Sequence, residues 1–238
     1  MVVCPPGVLS IHIWAANLDL PIMEIEKFHE MLSIEERVRA KGFLFERDRN
    51  RFIVCHGKLR AVLGWYLDVT PNRLRFCYGK HGKPALPDTF DNGSIHFSLS
   101  HSEGFALYGF SEDHEIGVDI ERVRDLAEMD WIAEQFFSAE ENRIFRALPE
   151  SQKKEAFFRM WTCKEAFMKA TGDGLSRPLD QFEVLRYPFE PSRLIELRAN
   201  SGEGYYWSIR SLNFLPTYAC AVAVKGNGLE TKYFYEIW

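Results

Sequence analysis

What most restricts the fold of this chain is a repeated change of hydrophobic period. Helical stretches opened by one kind of start signal alternate with short runs of strand period. Ser33-Ile34-Glu35-Glu36 and Ser138-Ala139-Glu140-Glu141 are both capping boxes, in which the serine hydroxyl takes a free N–H of the first helical turn and the glutamate reaches back to the serine N–H. The first opens helical sequence that runs, with a break near 43–50, to about residue 65. After the second, a further helix covers 151–171 and is stopped by Gly172-Asp173-Gly174. Strand-like runs fall at 10–14, 73–78, 94–98, 105–110 and 115–121, between turns such as Tyr78-Gly79-Lys80 and Asp91-Asn92-Gly93. This order suits an α+β protein of two similar α/β halves, each a small, mostly antiparallel sheet packed against helices, with a join near 111–114. The expected domains are therefore 1–112 and 113–238. Self-similarity between the halves is too weak in the sequence to establish a repeat.

The formal net charge of -5 excludes a global basic field of the kind that holds nucleic acid, so a polyanionic ligand must be held by a local cluster. No segment approaches the roughly 20 apolar residues that cross a bilayer, and no signal-peptide pattern opens the chain, so a cytoplasmic protein is expected. Cys4, Cys55, Cys77, Cys163 and Cys220 are odd in number and contain no C-x-x-C pair. They read as reduced packing residues, not a disulfide framework or a zinc site.

Three segments carry the candidate chemistry. In Ile116-Gly117-Val118-Asp119-Ile120-Glu121 the period of two puts Asp119 and Glu121 on one strand face. Two hard carboxylates together with substrate phosphates form a typical Mg²⁺ arrangement, although a solvated acidic face gives the same pattern. In Trp161-Thr162-Cys163-Lys164-Glu165-Ala166-Phe167-Met168-Lys169, Glu165 and Lys169 share a helix face, fit either for a metal and a phosphate or for an ordinary ion pair. Ser98-Leu99-Ser100-His101-Ser102 leaves a strand with hydroxyls and one imidazole, donors suited to a phosphate at a strand end or simply to a turn. Upstream, Lys80 and Lys83 lie on a glycine-permitted turn.

In this order, Gly82-Lys83-Pro84, Ser98-Leu99-Ser100-His101-Ser102, Gly117-Val118-Asp119-Ile120-Glu121, Phe136-Phe137-Ser138 and Trp161-Thr162-Cys163-Lys164-Glu165-Ala166 with Lys169 resemble the successive motifs of the 4'-phosphopantetheinyl transferase superfamily. The likeness is to its larger, monomeric, surfactin-synthetase-activating class and runs from about residue 33 to 179. It implies a pseudo-twofold α+β monomer with its active site and coenzyme A in the cleft between the halves. It also implies transfer of 4'-phosphopantetheine from coenzyme A to a serine of an apo acyl or peptidyl carrier protein, releasing 3',5'-ADP. The alternative is an inactive coenzyme A or carrier-binding module of the same fold.

By the same resemblance Asp119, Glu121 and Glu165 would hold Mg²⁺, with Mn²⁺ as a substitute, and Asp119, Glu165 and Lys169 would be catalytic. Glu165 is a candidate to take the serine proton, directly or through water, the sequence leaving the identity of the base open, and Lys169 would reach the pyrophosphate. Arg39, Arg51, Lys83, Ser100 and His101 would contact coenzyme A, and Glu141 is an accessory carboxylate candidate. Many relatives have lysine where Glu36 stands and a small hydroxyl residue where Phe52 stands, which puts part of the nucleotide clamp in doubt. The implied carriers are small acidic helical bundles, and residues 129–137, with Trp131, Ile132, Phe136 and Phe137, are a docking candidate. No nucleic-acid or membrane partner is expected.

Overall fold

The structure is a computed structural model and describes residues 10–87, 95–172, 178–184, 192–198, 204–213, 215–226 and 230–235. It divides into two compact units, Met1–Asp113 with Thr231–Trp238, and His114–Glu230. The C-terminal segment returns to the first unit instead of ending the second. Its aromatic side chains explain the return. Phe234 stacks on Trp14 with ring centroids 4.4 Å apart and meets the His12 ring edge-on at 5.0 Å.

In the first unit, strands β1 (Ser10–Asn17), β4 (Ile95–Ser102), β5 (Phe105–Glu112) and β10 (Glu230–Tyr235) form one sheet in the order β10-β1-β5-β4. Helices α1 (Ile22–Met31), α2 (Ile34–Lys41) and α3 (Glu46–Leu67) accompany it. Trp14 and Ala16 of β1, with Tyr108 and Phe110 of β5, share one core with Val54, Leu59 and Leu63 of α3. The Tyr108 hydroxyl donates to the Cys55 carbonyl at 2.9 Å, so this large buried ring keeps its polar end satisfied. The expected helical break is the 42–45 turn between α2 and α3. The expected strand at 73–78 shrinks to β2 (Cys77–Tyr78), paired with β3 (Pro84–Ala85) after a 3₁₀ turn at Pro71–Arg73. Proline at its first position favours that turn over a strand.

In the second unit, β6 (Ile116–Arg122), β9 (Tyr218–Lys225), β8 (Gly204–Leu212) and β7 (Ser192–Arg198) form an antiparallel sheet in that order. Helices α4 (Met129–Phe136), α5 (Ala139–Ala147) and α6 (Glu150–Thr171) belong to this unit. Phe157, Phe167, Trp207 and Ala221 are buried in its core.

The duplication that sequence similarity leaves unresolved is visible in the wiring of each unit. Both capping boxes form: Ser33 N–H donates to Glu36 Oε2 at 2.9 Å, and Ser138 N–H to Glu141 Oε2 at 2.9 Å. Each glutamate then meets a cation from its unit's 22-residue helix, α3 or α6. Arg60 Nε donates to Glu36 Oε2 at 2.6 Å, and Lys164 Nζ lies 2.8 Å from Glu141 Oε2. Each cation also donates to two carbonyls of the turn after its helix, Arg60 to Pro71 and Leu74, Lys164 to Leu179 and Phe182. Each sits over an aromatic ring, Phe76 at 4.8 Å and Phe182 at 4.5 Å. Both cations and both carboxylates are buried, and the added carbonyl and N–H partners offset part of the cost of burying such a pair.

Candidate active site

The site in the second unit begins with a close approach of helix and strand. Gly117, Asp119 and Glu121 alternate along β6 opposite Ala223, Ala221 and Ala219 of β9. A Cβ on Gly117 would stand 2.1 Å from the Ala166 carbonyl and 2.3 Å from the Ala170 nitrogen, so α6 lies directly on this row of small residues. The absent side chain is what lets a helix sit so near a sheet.

That approach brings the flanking α6 residues to the carboxylates. Lys169 Nζ donates to Asp119 Oδ1 at 2.7 Å; Asp119 is buried, and the lysine is one-third exposed. Glu165, one turn earlier, is held above the usual carboxylate range first by burial and then by the charge of Asp119, with Glu121 adding to the effect and Lys169 opposing it. Asp119 and Lys169 thus meet directly, and Glu165 lies within electrostatic reach of Asp119, Glu121 and Lys169. Among the described residues no three His, Cys, Asp or Glu groups stand close enough to enclose an ion. The donor chemistry nevertheless suits a hard divalent cation: three oxygen acids on two packed elements, with mutual repulsion that a positive charge would relieve.

Glu141 and Lys164 take no part in this patch. The Glu141 carboxylate accepts the Ser138 and Val184 N–H groups and pairs with Lys164, so the accessory role open to it in the sequence is excluded by its complete burial. Lys164 immediately precedes Glu165 but points into the core, where burial lowers its pKa against the raising effect of Glu141. Cys163 is fully buried, and burial pushes its thiol up to about 12, as befits a packing residue. Trp161 packs on Phe157 and Phe136.

The other candidates are placed less simply. Ser100 and His101 fall in the last three residues of β4, still within the strand, and therefore face opposite sides of the sheet. Ser98, Ser100 and Ser102 are buried along one side, and His101 is exposed on the other. Arg51 is held bidentately by Asp19 at 2.6 and 2.7 Å, a pair that lies against Gly104 in the β4–β5 turn. Arg39 is stacked over Phe52 at 5.1 Å. Lys83 lies in the β2–β3 turn, where its carbonyl accepts the Gly79 N–H. Glu36, the departure from the lysine of many relatives, is committed to Arg60 and its capping box. Burial would raise its pKa, but hydrogen bonds from His56, Arg60 and the Ser33 N–H hold it down at about 2. In the docking candidate, Phe137 is core and Phe136 half-buried, whereas Trp131 is exposed. Gly117 was not singled out by sequence reasoning, and an isolated glycine inside a strand was the available signal.

The sequence is similar to those of known proteins. The profile of the 4'-phosphopantetheinyl transferase superfamily matches residues 115–223. The 4'-phosphopantetheinyl transferase HetI of Nostoc sp. is 38% identical over 228 residues, covering 95% of this chain and 92% of the relative. Sfp of Bacillus subtilis, a 4'-phosphopantetheinyl transferase, is 32% identical over 72% of this chain and 75% of its own. The transferase psf-1 of Bacillus pumilus is 34% identical over 67% and 66%. With identity at this level along most of its length, and the family profile falling on the unit that carries Asp119, Glu121, Glu165 and Lys169, the chain belongs to the 4'-phosphopantetheinyl transferase superfamily, in its larger, Sfp-like class.

Proposed function

We propose that the protein transfers the 4'-phosphopantetheine arm of coenzyme A to a serine of an apo acyl or peptidyl carrier protein. The observation that carries the site assignment is the meeting of Lys169 with Asp119 at 2.7 Å, with Glu165 one turn earlier on the same helix. In this reading the carrier serine oxygen bonds to the phosphorus next to pantetheine, the bond to the bridging oxygen breaks, and 3',5'-ADP leaves with that oxygen. Glu165 accepts the serine proton on its carboxylate. The Lys169 ammonium stabilises the negative charge that builds on the departing pyrophosphate oxygens. Asp119, Glu121 and Glu165 are the residues that would hold Mg²⁺, which when bound neutralises phosphate charge.

The first unit contributes the nucleotide contacts in this scheme, from Arg39, Arg51, Lys83, Ser100 and His101. For Arg51 to bind a phosphate, part of its bidentate hold on Asp19 must be exchanged for the ligand. The enzyme acts as a cytoplasmic monomer with no nucleic-acid or membrane partner. Among the described residues no helix is long and apolar enough to cross a membrane.

The test is the mass of a purified apo carrier after incubation with protein, coenzyme A and Mg²⁺. A gain of about 340 Da, the arm expected from this phosphoryl-transfer chemistry, that vanishes with Asp119→Ala supports the reaction and the site. Intact coenzyme A binding without any gain across fatty-acid, polyketide and peptide carriers would instead identify a non-catalytic module.

A further inference from the structure

His12 is a buried imidazole that takes no part in the chemistry above. It lies on β1, 1% exposed, on the sheet face that also carries Trp14. Trp14 Nε1 donates to the Tyr66 oxygen at 2.9 Å, which leaves the hydroxyl proton for His12 Nδ1 at 2.7 Å. With Nδ1 accepting, the ring proton sits on Nε2, a buried atom without a hydrogen-bond partner among the described residues.

A second proton has no good place here. On Nδ1 it would turn that nitrogen into a donor and deprive the Tyr66 proton of its acceptor. Phe110 of β5 stands opposite His12 in register, and Phe234 of β10 meets the ring at 5.0 Å, so the charge would lie among aromatic side chains. The nearby titrating groups give no relief. Burial raises the Tyr66 hydroxyl and keeps it neutral, and Lys232 of β10 adds a like charge. Glu112 of β5, Asp68 at the end of α3 and Glu230 of β10 lie farther along their elements and do not offset it. Burial first, then Lys232, accordingly lower the His12 pKa to about 4.

The cover over this ring is the least anchored strand of its sheet. β10 lies at the sheet edge beside β1, and its side chains are exposed or half-buried. The chain leaves this sheet at β5 for the second unit and returns at β10, on the other side of β1. An edge strand with so little buried surface opens locally more readily than a central one.

We propose that His12 makes β10 an acid-released clasp: charging the imidazole and seating the C-terminal strand on β1 exclude one another, so a proton opens β10 with the rest of the first unit still folded. Seating is fully favoured above the ordinary imidazole pKa of 6.5 and weakens as pH falls through that value toward 4. Below that interval the ratio of closed to open strand has dropped about 300-fold by linkage. Glu36, held down at about 2, fails at lower pH and acts on a different part of the unit.

The test follows the His12 ring by NMR titration and, over the same pH range, the amide exchange of β10 and β5. Protection of β10 should fall at least about tenfold between pH 6.5 and 4.5, with that of β5 changed less than about twofold. His12→Phe, which cannot take the proton, should keep β10 protected throughout. Phe234→Ala, which uncovers the ring, should move the His12 titration from about 4 toward 6.5. Should His12→Phe fail to fold, the parent's titration and Phe234→Ala decide alone. The proposal is overturned if β10 and β5 lose protection together, or if neither does. It is equally overturned by a His12 that titrates near 6.5 under a protected β10, or by a Phe234→Ala protein in which the titration has not moved.

Discussion

Lys169 reaches Asp119 at 2.7 Å because Gly117, two residues before the aspartate, presents no side chain to α6. The neighbours that a Cβ would strike are backbone atoms of Ala166 and Ala170, which cannot rotate aside. Gly117→Ala should therefore push the helix off the strand and cost about 1–3 kcal/mol, as overpacking does. Transfer activity should fall more steeply than stability, because Glu165 and Lys169 ride on the displaced helix. Melting temperature and carrier modification measured side by side decide this; full activity in a stably folded Gly117→Ala protein would refute the dependence.

Lys164 and Glu141 form a buried pair with complete hydrogen bonding, so breaking one side strands a charge. Lys164→Met should destabilise the protein by about 3–5 kcal/mol, and much less in a Glu141→Gln background. Urea unfolding of the two single variants and the double variant gives the coupling directly. Additive effects would mean that the contact contributes little.

Glu36 makes the first unit sensitive to acid. Its pKa falls from the ordinary 4.5 to about 2 on folding, so its stabilisation is fully present above 4.5 and is lost as pH drops toward 2. By linkage the difference is on the order of 3 kcal/mol. Glu36→Gln should be less stable than the parent at neutral pH, with the gap closing in acid. A gap that stays constant between pH 6 and pH 2.5 would contradict the shift.

Burial pushes the Cys55 and Cys163 thiols up to about 12 and raises that of Cys220 too, whereas Cys77 is exposed. Iodoacetamide at pH 8 should alkylate Cys77 and spare these three until the chain is unfolded, as peptide mass mapping would read. Labelling of Cys163 in the native protein would show that α6 opens.

The parts of this molecule legible from sequence were those with a short-range cause. Ser33 to Glu36 and Ser138 to Glu141 announce helix starts within four residues, and the alternation from Ile116 to Glu121 fixes which side chains share a face. Helix α1 went unseen because it begins after Pro21 with no side-chain cap. The hydroxyl-rich run at Ser98–Ser102 resembled a turn, yet its serines lie in a strand with their side chains buried on one face, where hydroxyls need only local acceptors. The roles of Glu36 and Glu141 beyond their caps could not be read at all. Each depends on a cation twenty or more positions away, brought near only when a long helix packs. The duplication stayed hidden for a related reason: Arg60 and Lys164 do the same work with different chemistry, which leaves little identity to detect.

The aromatic cluster of the first unit also makes the protein its own optical gauge. Trp14 is hydrogen-bonded through Nε1 to the Tyr66 hydroxyl, stacked on Phe234, and 6.0 Å from Trp65. Trp161 and Trp207 belong to the second unit's core region. Emission from Trp14 therefore registers whether the C-terminal strand is seated, without any attached dye. The difference in emission between the parent and a Trp14→Phe protein would isolate the light that reports on that strand.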